Sequence, residues 1–369
     1  MKERFKTLLM ILIVFFIGCH NPKNKTIQVK INKNIETLFI LYPLVDIGAP
    51  PPTNKSLCSK AYIEFGAYKK HDAVKLLDTI ISRTDISEPV NLVLHFSELP
   101  DIKQIYSIDT SILKIISGQN DMNIGQNLID DFIIKFFDFY KEANVESFFT
   151  DHNKYYKKAI KNVTKNLPPK DFVKTMEQYY GQVNQKYILN PSPVLYPGFG
   201  FGARIRTEDG LLVFNTFSPL NKLDDDSEIL FDFNNYKEIR DLAVHEFGHS
   251  FVNPITELPE NIKKINQYSY LFSPIERDML PTYGTWCICV TEHLVRLGEI
   301  RIALVMNDSS TANKIRRENI EIEKFIYLPY LEEKIIEYEK NREIYKTFSD
   351  FFPELIRVFS KIDTTKINI

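Results

Sequence analysis

Apolar residues along this chain recur mostly at three- and four-residue spacing, which predicts a largely helical protein with one short stretch of strand. An apolar run from Ile35 to Leu44 leads to a Pro-rich turn at residues 49–52. Residues 59–83 and 126–166 read as amphipathic helices, the second with Phe132, Ile133, Phe136, Phe137 and Tyr140 as a core stripe. The proline-punctuated segment 190–197 is the expected boundary between a helical N-terminal lobe (35–190) and a second lobe (191–369). In that second lobe, residues 199–205 and 211–217 flank Glu208-Asp209-Gly210 and read as a hairpin. A helix is predicted over 236–252, capped by Asn234-Asn235 and stopped by Pro254. Another covers 286–298 and ends at Gly298, and residues 327–362 are helical again, with Ser349 capping the last helix. The expected fold class is α+β, predominantly helical, with a small sheet.

The helix over 236–252 carries His245-Glu246-Phe247-Gly248-His249, an H-E-x-x-H motif. Histidines four apart sit one turn above each other, so both imidazoles reach a single metal ion. Glu246 falls beside them, where its carboxylate can take a proton from water held by that ion. A core helix whose histidines merely form hydrogen bonds would have no need of Glu246.

A catalytic zinc site needs a third protein ligand and an open position. The extended motif would place Gly at 252 and His at 255, but the chain has Val252 and Ile255. Glu257 and Glu260 follow closely in a Pro-flanked segment that reads as loop, and Glu276 is a weaker alternative. Glu292 is preferred: it shares a face of the 286–298 helix with Thr285, Ile288, Cys289 and Arg296. A carboxylate among apolar neighbours needs a cation, and either a metal or Arg296 one turn on would serve.

H-E-x-x-H followed by a glutamate on a later helix resembles the gluzincin zinc metallopeptidases. More closely, the segments 245–254, 283–286 and 291–296 are similar to a family of uncharacterised bacterial zincin-like lipoproteins, with the similarity extending over roughly 30–360. The resemblance implies a zincin-like fold, a Zn2+ site at His245, His249 and Glu292, and Glu246 as the general base. It implies no particular substrate.

At the N-terminus, Lys2, Arg4 and Lys6 precede an apolar run from Leu8 to Ile17 and then Gly18-Cys19. The run is too short to span a bilayer and has the layout of a secretory signal. A cysteine after a small residue at its end resembles the bacterial lipoprotein cleavage box. The expectation is a signal peptide over 1–19, a lipid on Cys19, a flexible Asn- and Lys-rich tether over 20–34, and a place in the cell envelope facing the periplasm or the surface. Cys58, Cys287 and Cys289 remain, an odd number that forms no disulfide framework, and they read as buried small apolar residues. His71, His95 and His152 stand alone. A net charge of −2 gives no electrostatic footprint for nucleic acid.

These readings converge on a lipid-anchored zinc hydrolase, a peptidase acting on a peptide or protein substrate. The alternative is a non-catalytic cell-envelope binding lipoprotein on the same scaffold. An oxyanion stabiliser is expected from Tyr283 or His293, both near Glu292 in the chain. The strand over 211–217 is the candidate sheet edge for an extended substrate, and the glycines of 198–202 would admit another backbone.

Overall fold

Four strands form one mixed sheet: β1 (Gln28–Val29), β2 (Lys186–Pro191), β3 (Gly200–Thr207) and β4 (Gly210–Phe217), in the order β1-β2-β4-β3. β1 and β4 both run parallel to β2, while β3 and β4 are the expected antiparallel hairpin. The computed structural model describes residues 26–45, 56–220, 232–279 and 282–363. Cys19 with its apolar run and the turn at 49–52 lie outside these residues. The rest of the described chain is mainly helical, so the fold class is α+β.

Period-two alternation gives the sheet two buried faces. On one, Phe201 of β3 stacks on Phe39 of the helix Lys33–Leu41 at 5.6 Å. On the other, Tyr187 of β2 meets Phe247 of the helix Tyr236–Thr256 at 5.0 Å, and Asn215 of β4 donates to the Leu242 carbonyl at 3.5 Å. This motif helix therefore lies against the sheet. Its opposite side packs on the return helix, Trp286–Val305. Burial on both sides explains why the motif helix lacks a clean polar stripe.

Several boundaries differ from expectation. Pro254 does not stop the motif helix, which continues to Thr256. The missing proline N–H would have bonded the Ser250 carbonyl, and Gln182 Nε2 donates to that oxygen instead at 3.4 Å. Gly298 does not end the return helix either. A Cβ there would lie 1.9 Å from the Tyr180 hydroxyl, so the glycine serves close packing rather than termination. The segment after Pro259 is a helix, Pro259–Asn266, rather than loop. The last helix, Phe348–Ile356, is capped by Thr347 in a capping box with Asp350, not by Ser349. The stretch 59–83 is two helices separated by a 3-10 segment at Gly66–Lys70, and 126–166 lies within three, Met122–Glu142, Val145–Asp151 and Asn153–Lys165.

The tether and the lobe boundary also change. Within 20–34, Gln28–Val29 is strand β1, the Lys30 N–H donates to the Leu189 carbonyl, and Asn32 caps a helix. Ile27, Val29 and Ile31 pack on the core, which holds this stretch in place. The boundary at 190/191 falls inside β2, and one continuous apolar cluster runs from Ile35 to Ile362. The prolines of 190–197 thus mark the end of a strand within a shared core.

Glu36 is fully buried on the helix Lys33–Leu41, where the Ser192 and Tyr156 hydroxyls and the Val194 backbone face its carboxyl. Burial outweighs its polar neighbours Ser192, Val194 and Tyr156 and pushes its pKa from 4.5 to about 8. Between those values the folded protein holds a proton that the unfolded chain has released. Stability therefore falls as pH rises from about 4.5 to about 8, by at most about 1.4 kcal/mol per pH unit from this group. Urea unfolding across that range should show this slope in the wild type and a shallower one in Glu36→Gln. A second test addresses packing: Gly298→Ala should destabilise by about 1–3 kcal/mol. Thermal melts should show that Tyr180→Phe partly restores the Gly298→Ala protein, because it removes the atom in the closest clash.

Candidate metal site

Asn235 caps the motif helix by accepting from the Glu238 N–H, which starts the helix more than two turns before its histidines. Gly248 lets the return helix approach, since a Cβ there would already touch Val295 Cγ1 at 3.3 Å. Thr256 and Thr291 are hydrogen-bonded at 3.0 Å further along the same contact. This close packing brings Glu292 over the two histidines.

The Nε2 atoms of His245 and His249 are 3.3 Å apart. Glu292 Oε1 is 3.3 Å from His249 Nε2, and Oε2 is 3.9 Å from His245 Nε2. One ligand atom from each residue can be chosen so that all lie within 4.8 Å of one another. The other ring nitrogens are held from behind. His245 Nδ1 is 2.6 Å from Glu299 Oε1, and His249 Nδ1 is 2.9 Å from Asn253 Oδ1. Both partners are acceptors, so each Nδ1 carries the proton and each Nε2 presents a lone pair inward.

Two lone pairs and a carboxylate converging on one point repel unless a cation lies among them. Glu292 Oε2 is buried without a hydrogen-bond partner among the described residues, which leaves it open to a cation. The N2O donor set with imidazole and carboxylate suits Zn2+ and neighbouring divalent metals. In the absence of metal, a proton takes the same role. Burial disfavours a charged His245, but Glu299, with help from Glu246 and Glu292, outweighs it and lifts its pKa to about 9. Burial would likewise raise the Glu292 pKa, yet His249, His245 and Arg296 hold it below the usual value. The Arg296 reading persists alongside the ligand reading: its Nε is 4.0 Å from Glu292 Oε2.

Glu246 sits on the side of the helix facing β3. A Cβ on Gly202 would come within 2.7 Å of Glu246 Oε2, so the glycine makes room for this carboxylate. Sequence reasoning assigned the glycines of 198–202 to an approaching backbone; at Gly202 the approaching group is the candidate base. The Tyr283 hydroxyl accepts from Arg296 Nη2 at 3.0 Å, and Arg296 stacks on Phe325 at 4.3 Å. Tyr283 is thus joined to Glu292 through one guanidinium. His293 points the other way. It is fully buried against Phe325 and Tyr327, its Nδ1 donates to the Cys289 carbonyl, and burial depresses its pKa to about 4. That burial removes it from the pair considered for an oxyanion.

Two further sequence expectations change here. β4 pairs with β2 on one side and β3 on the other, so it cannot receive a substrate strand. β3 is the edge strand beside the site. Cys58 and Cys289 are buried as expected, but Cys287 is partly exposed, and all three thiols are free. Of the isolated histidines, His71 caps a helix by accepting from the Ala73 N–H, while His95 is buried and His152 packs on Phe148. None joins a metal cluster among the described residues.

Sequence reasoning missed Glu299 and Asn253. Ending the helix at Gly298 hid Glu299, which lies two turns beyond Glu292 on the same face. Asn253, four residues after His249, was visible by the spacing that pairs the histidines.

The architecture and site define an α+β protein with an H-E-x-x-H helix and a His-His-Glu cluster that could hold a metal ion. The chain belongs to the family described as a domain of unknown function (DUF4932), which matches residues 56–358. No curated protein and no solved structure matches it.

Metal analysis of purified variants tests the site. His245→Ala, His249→Ala and Glu292→Ala should each lose stoichiometric metal, while Glu246→Gln should keep it. Glu299→Gln should weaken affinity by about 10–100-fold, the usual effect of removing a group that orients a ligand. Full occupancy in Glu292→Ala would reassign Glu292 to Arg296 alone.

Proposed function

We propose that this protein is a zinc-dependent hydrolase of gluzincin type on a zincin-like fold, cleaving peptide bonds at the cell envelope, where a lipid on Cys19 holds it. The observation that carries this reading is the seat of Glu246 beside the His245–His249–Glu292 cluster. A structural metal site would need no carboxylate lodged in the Gly202 gap next to its ligands.

Zinc bound there would polarise a carbonyl and make water nucleophilic near neutral pH. His245, His249 and Glu292 would hold it, with Glu299 and Asn253 fixing the imidazole orientations. Glu246 takes the proton of the attacking water and passes it to the departing amine. Arg296 donates to the Tyr283 oxygen, which leaves the Tyr283 O–H proton free to reach the oxygen where charge develops. An extended peptide added along the outer edge of β3 would pass Glu246 at Gly202, with main-chain hydrogen bonds aligning it.

The reaction is tested with the zinc-loaded protein and a library of quenched fluorescent peptides. Cleavage is expected in the wild type and should fall by about 10²–10⁴-fold in Glu246→Gln at unchanged metal content. Equal cleavage by both proteins, or none by a fully loaded wild type, overturns the peptidase reading. For the anchor, mass spectrometry of the mature protein should find an acylated terminus at Cys19, and Cys19→Ser should leave precursor or a soluble form.

A further inference from the structure

The helix Asn153–Lys165 carries five lysines and no acidic residue. Lys154, Lys157, Lys158, Lys161 and Lys165 recur at helical spacing, which puts them on one face within an arc of about 100°. All five are exposed, in a stripe about 17 Å long. Tyr155, Tyr156, Ala159 and Val163 take the opposite side and are buried. From the helix Leu57–Phe65, exposed Lys60 extends the basic surface. Its Nζ and that of Lys154 lie 5.6 and 5.1 Å from the Tyr155 ring.

These charges are not cancelled by neighbours. Lys30 and Lys33, close to β1, pair with Glu98 at 3.3 Å and Glu146 at 2.7 Å. Lys60, Lys154, Lys157, Lys161 and Lys165 form no ion pair among the described residues. Asp151 and Asp171 are the nearest acids along the chain, and Asp232 accepts from Asn162 Nδ2 at 3.4 Å. Carboxylates at the rim leave the lysines in excess.

The path of the chain supplies a second, independent observation. β1 packs beside this helix, and Ile31, just after β1, borders one cavity with Lys157 and Ile160. The described residues begin at Thr26, two before β1. Seven residues of chain lead from Cys19 to Thr26 and reach at most about 25 Å. A lipid on Cys19 would therefore keep the lysine stripe close to the bilayer surface. A tether alone leaves a domain free to turn, whereas clustered lysines near a membrane are drawn to anionic headgroups.

We propose that the lysine face of Asn153–Lys165 docks on the anionic phospholipid headgroups of the membrane that holds the anchor. The proposal rests on the Cys19 reading for the nearness of the bilayer and is independent of the peptidase reading. The buried side of the helix places Tyr156 against Glu36, whose helix covers the sheet face opposite the motif helix. Docking by the lysine face thus turns the metal site away from the bilayer, toward substrates in the surrounding solution.

Co-sedimentation with vesicles tests the proposal, using phosphatidylcholine alone and a phosphatidylcholine–phosphatidylglycerol mixture. The mature chain, residues 20–369, is made without its lipid, so that anchoring contributes nothing, and it keeps every described residue. Binding to the anionic vesicles should exceed binding to the neutral ones and weaken as salt rises. Lys157→Gln should lower the partition by about fivefold, and Lys154→Gln, Lys157→Gln, Lys161→Gln and Lys165→Gln together by about fivefold per lysine. Gln and Lys have similar helix propensities and these side chains are exposed, so the fold should persist, as a melting curve checks. The same change of charge at exposed Lys114, Lys186, Lys263 and Lys340 should leave vesicle binding intact. Equal binding to neutral and anionic vesicles, or an equal loss in that control variant, overturns the proposal. Binding to polyglutamate with none to anionic vesicles would assign the stripe to an acidic protein partner and overturn it too. Failure of the anchor reading shows separately, as a mature terminus other than an acylated Cys19.

Discussion

Everything at the candidate site depends on the close packing of the motif helix against the return helix. Gly248 and Gly298 lie at this contact, the first admitting Val295 and the second the Tyr180 hydroxyl. The approach lets Glu292 and Glu299 reach over to two histidines on the neighbouring helix. It also concentrates carboxylates and imidazole lone pairs in a poorly solvated space, an arrangement that only a cation or a proton makes tolerable. The site is built around a positive charge.

The same packing separates the roles of the two faces of the motif helix. The side turned to the sheet buries Phe247 against Tyr187 and presents Glu246 to Gly202. The histidines face the return helix; Glu299 on that helix and Asn253 on their own set which nitrogen of each ring carries the proton. Rigid elements, rather than loops, hold all of these groups, which favours a pre-formed geometry. Arg296 links Glu292 to Tyr283 while stacked on Phe325, so Tyr283 is tied to the His-His-Glu cluster by a planar, well-packed guanidinium.

Glu36 is the counterpart on the other side of the sheet. There a carboxyl is buried with no cation beside it among the described residues, and burial, its largest influence, pushes its pKa up to about 8. At Glu292 burial acts in the same direction, but two imidazoles and a guanidinium reverse the outcome. The contrast shows how identical side chains acquire opposite charge states through their neighbours.

Local chemistry was readable directly from the chain. The histidine spacing placed both rings on one helical turn, Glu-Asp-Gly at 208–210 marked the hairpin turn, and apolar periodicity indicated a mainly helical protein with a small sheet. These features rest on interactions between residues a few positions apart. What required the folded structure was every long-range choice. Which strand lies at the edge depends on β2 inserting beside β4, and the membership of residues 26–34 in the core depends on β1 pairing with β2 across most of the N-terminal half. Pro254 and Gly298 read as helix stops by local rules, yet Gln182 and Tyr180, distant in sequence, supply the bond and the steric demand that keep both inside helices. Helix ends, sheet order and the partners of a buried charge are set by contacts that no short window of sequence contains.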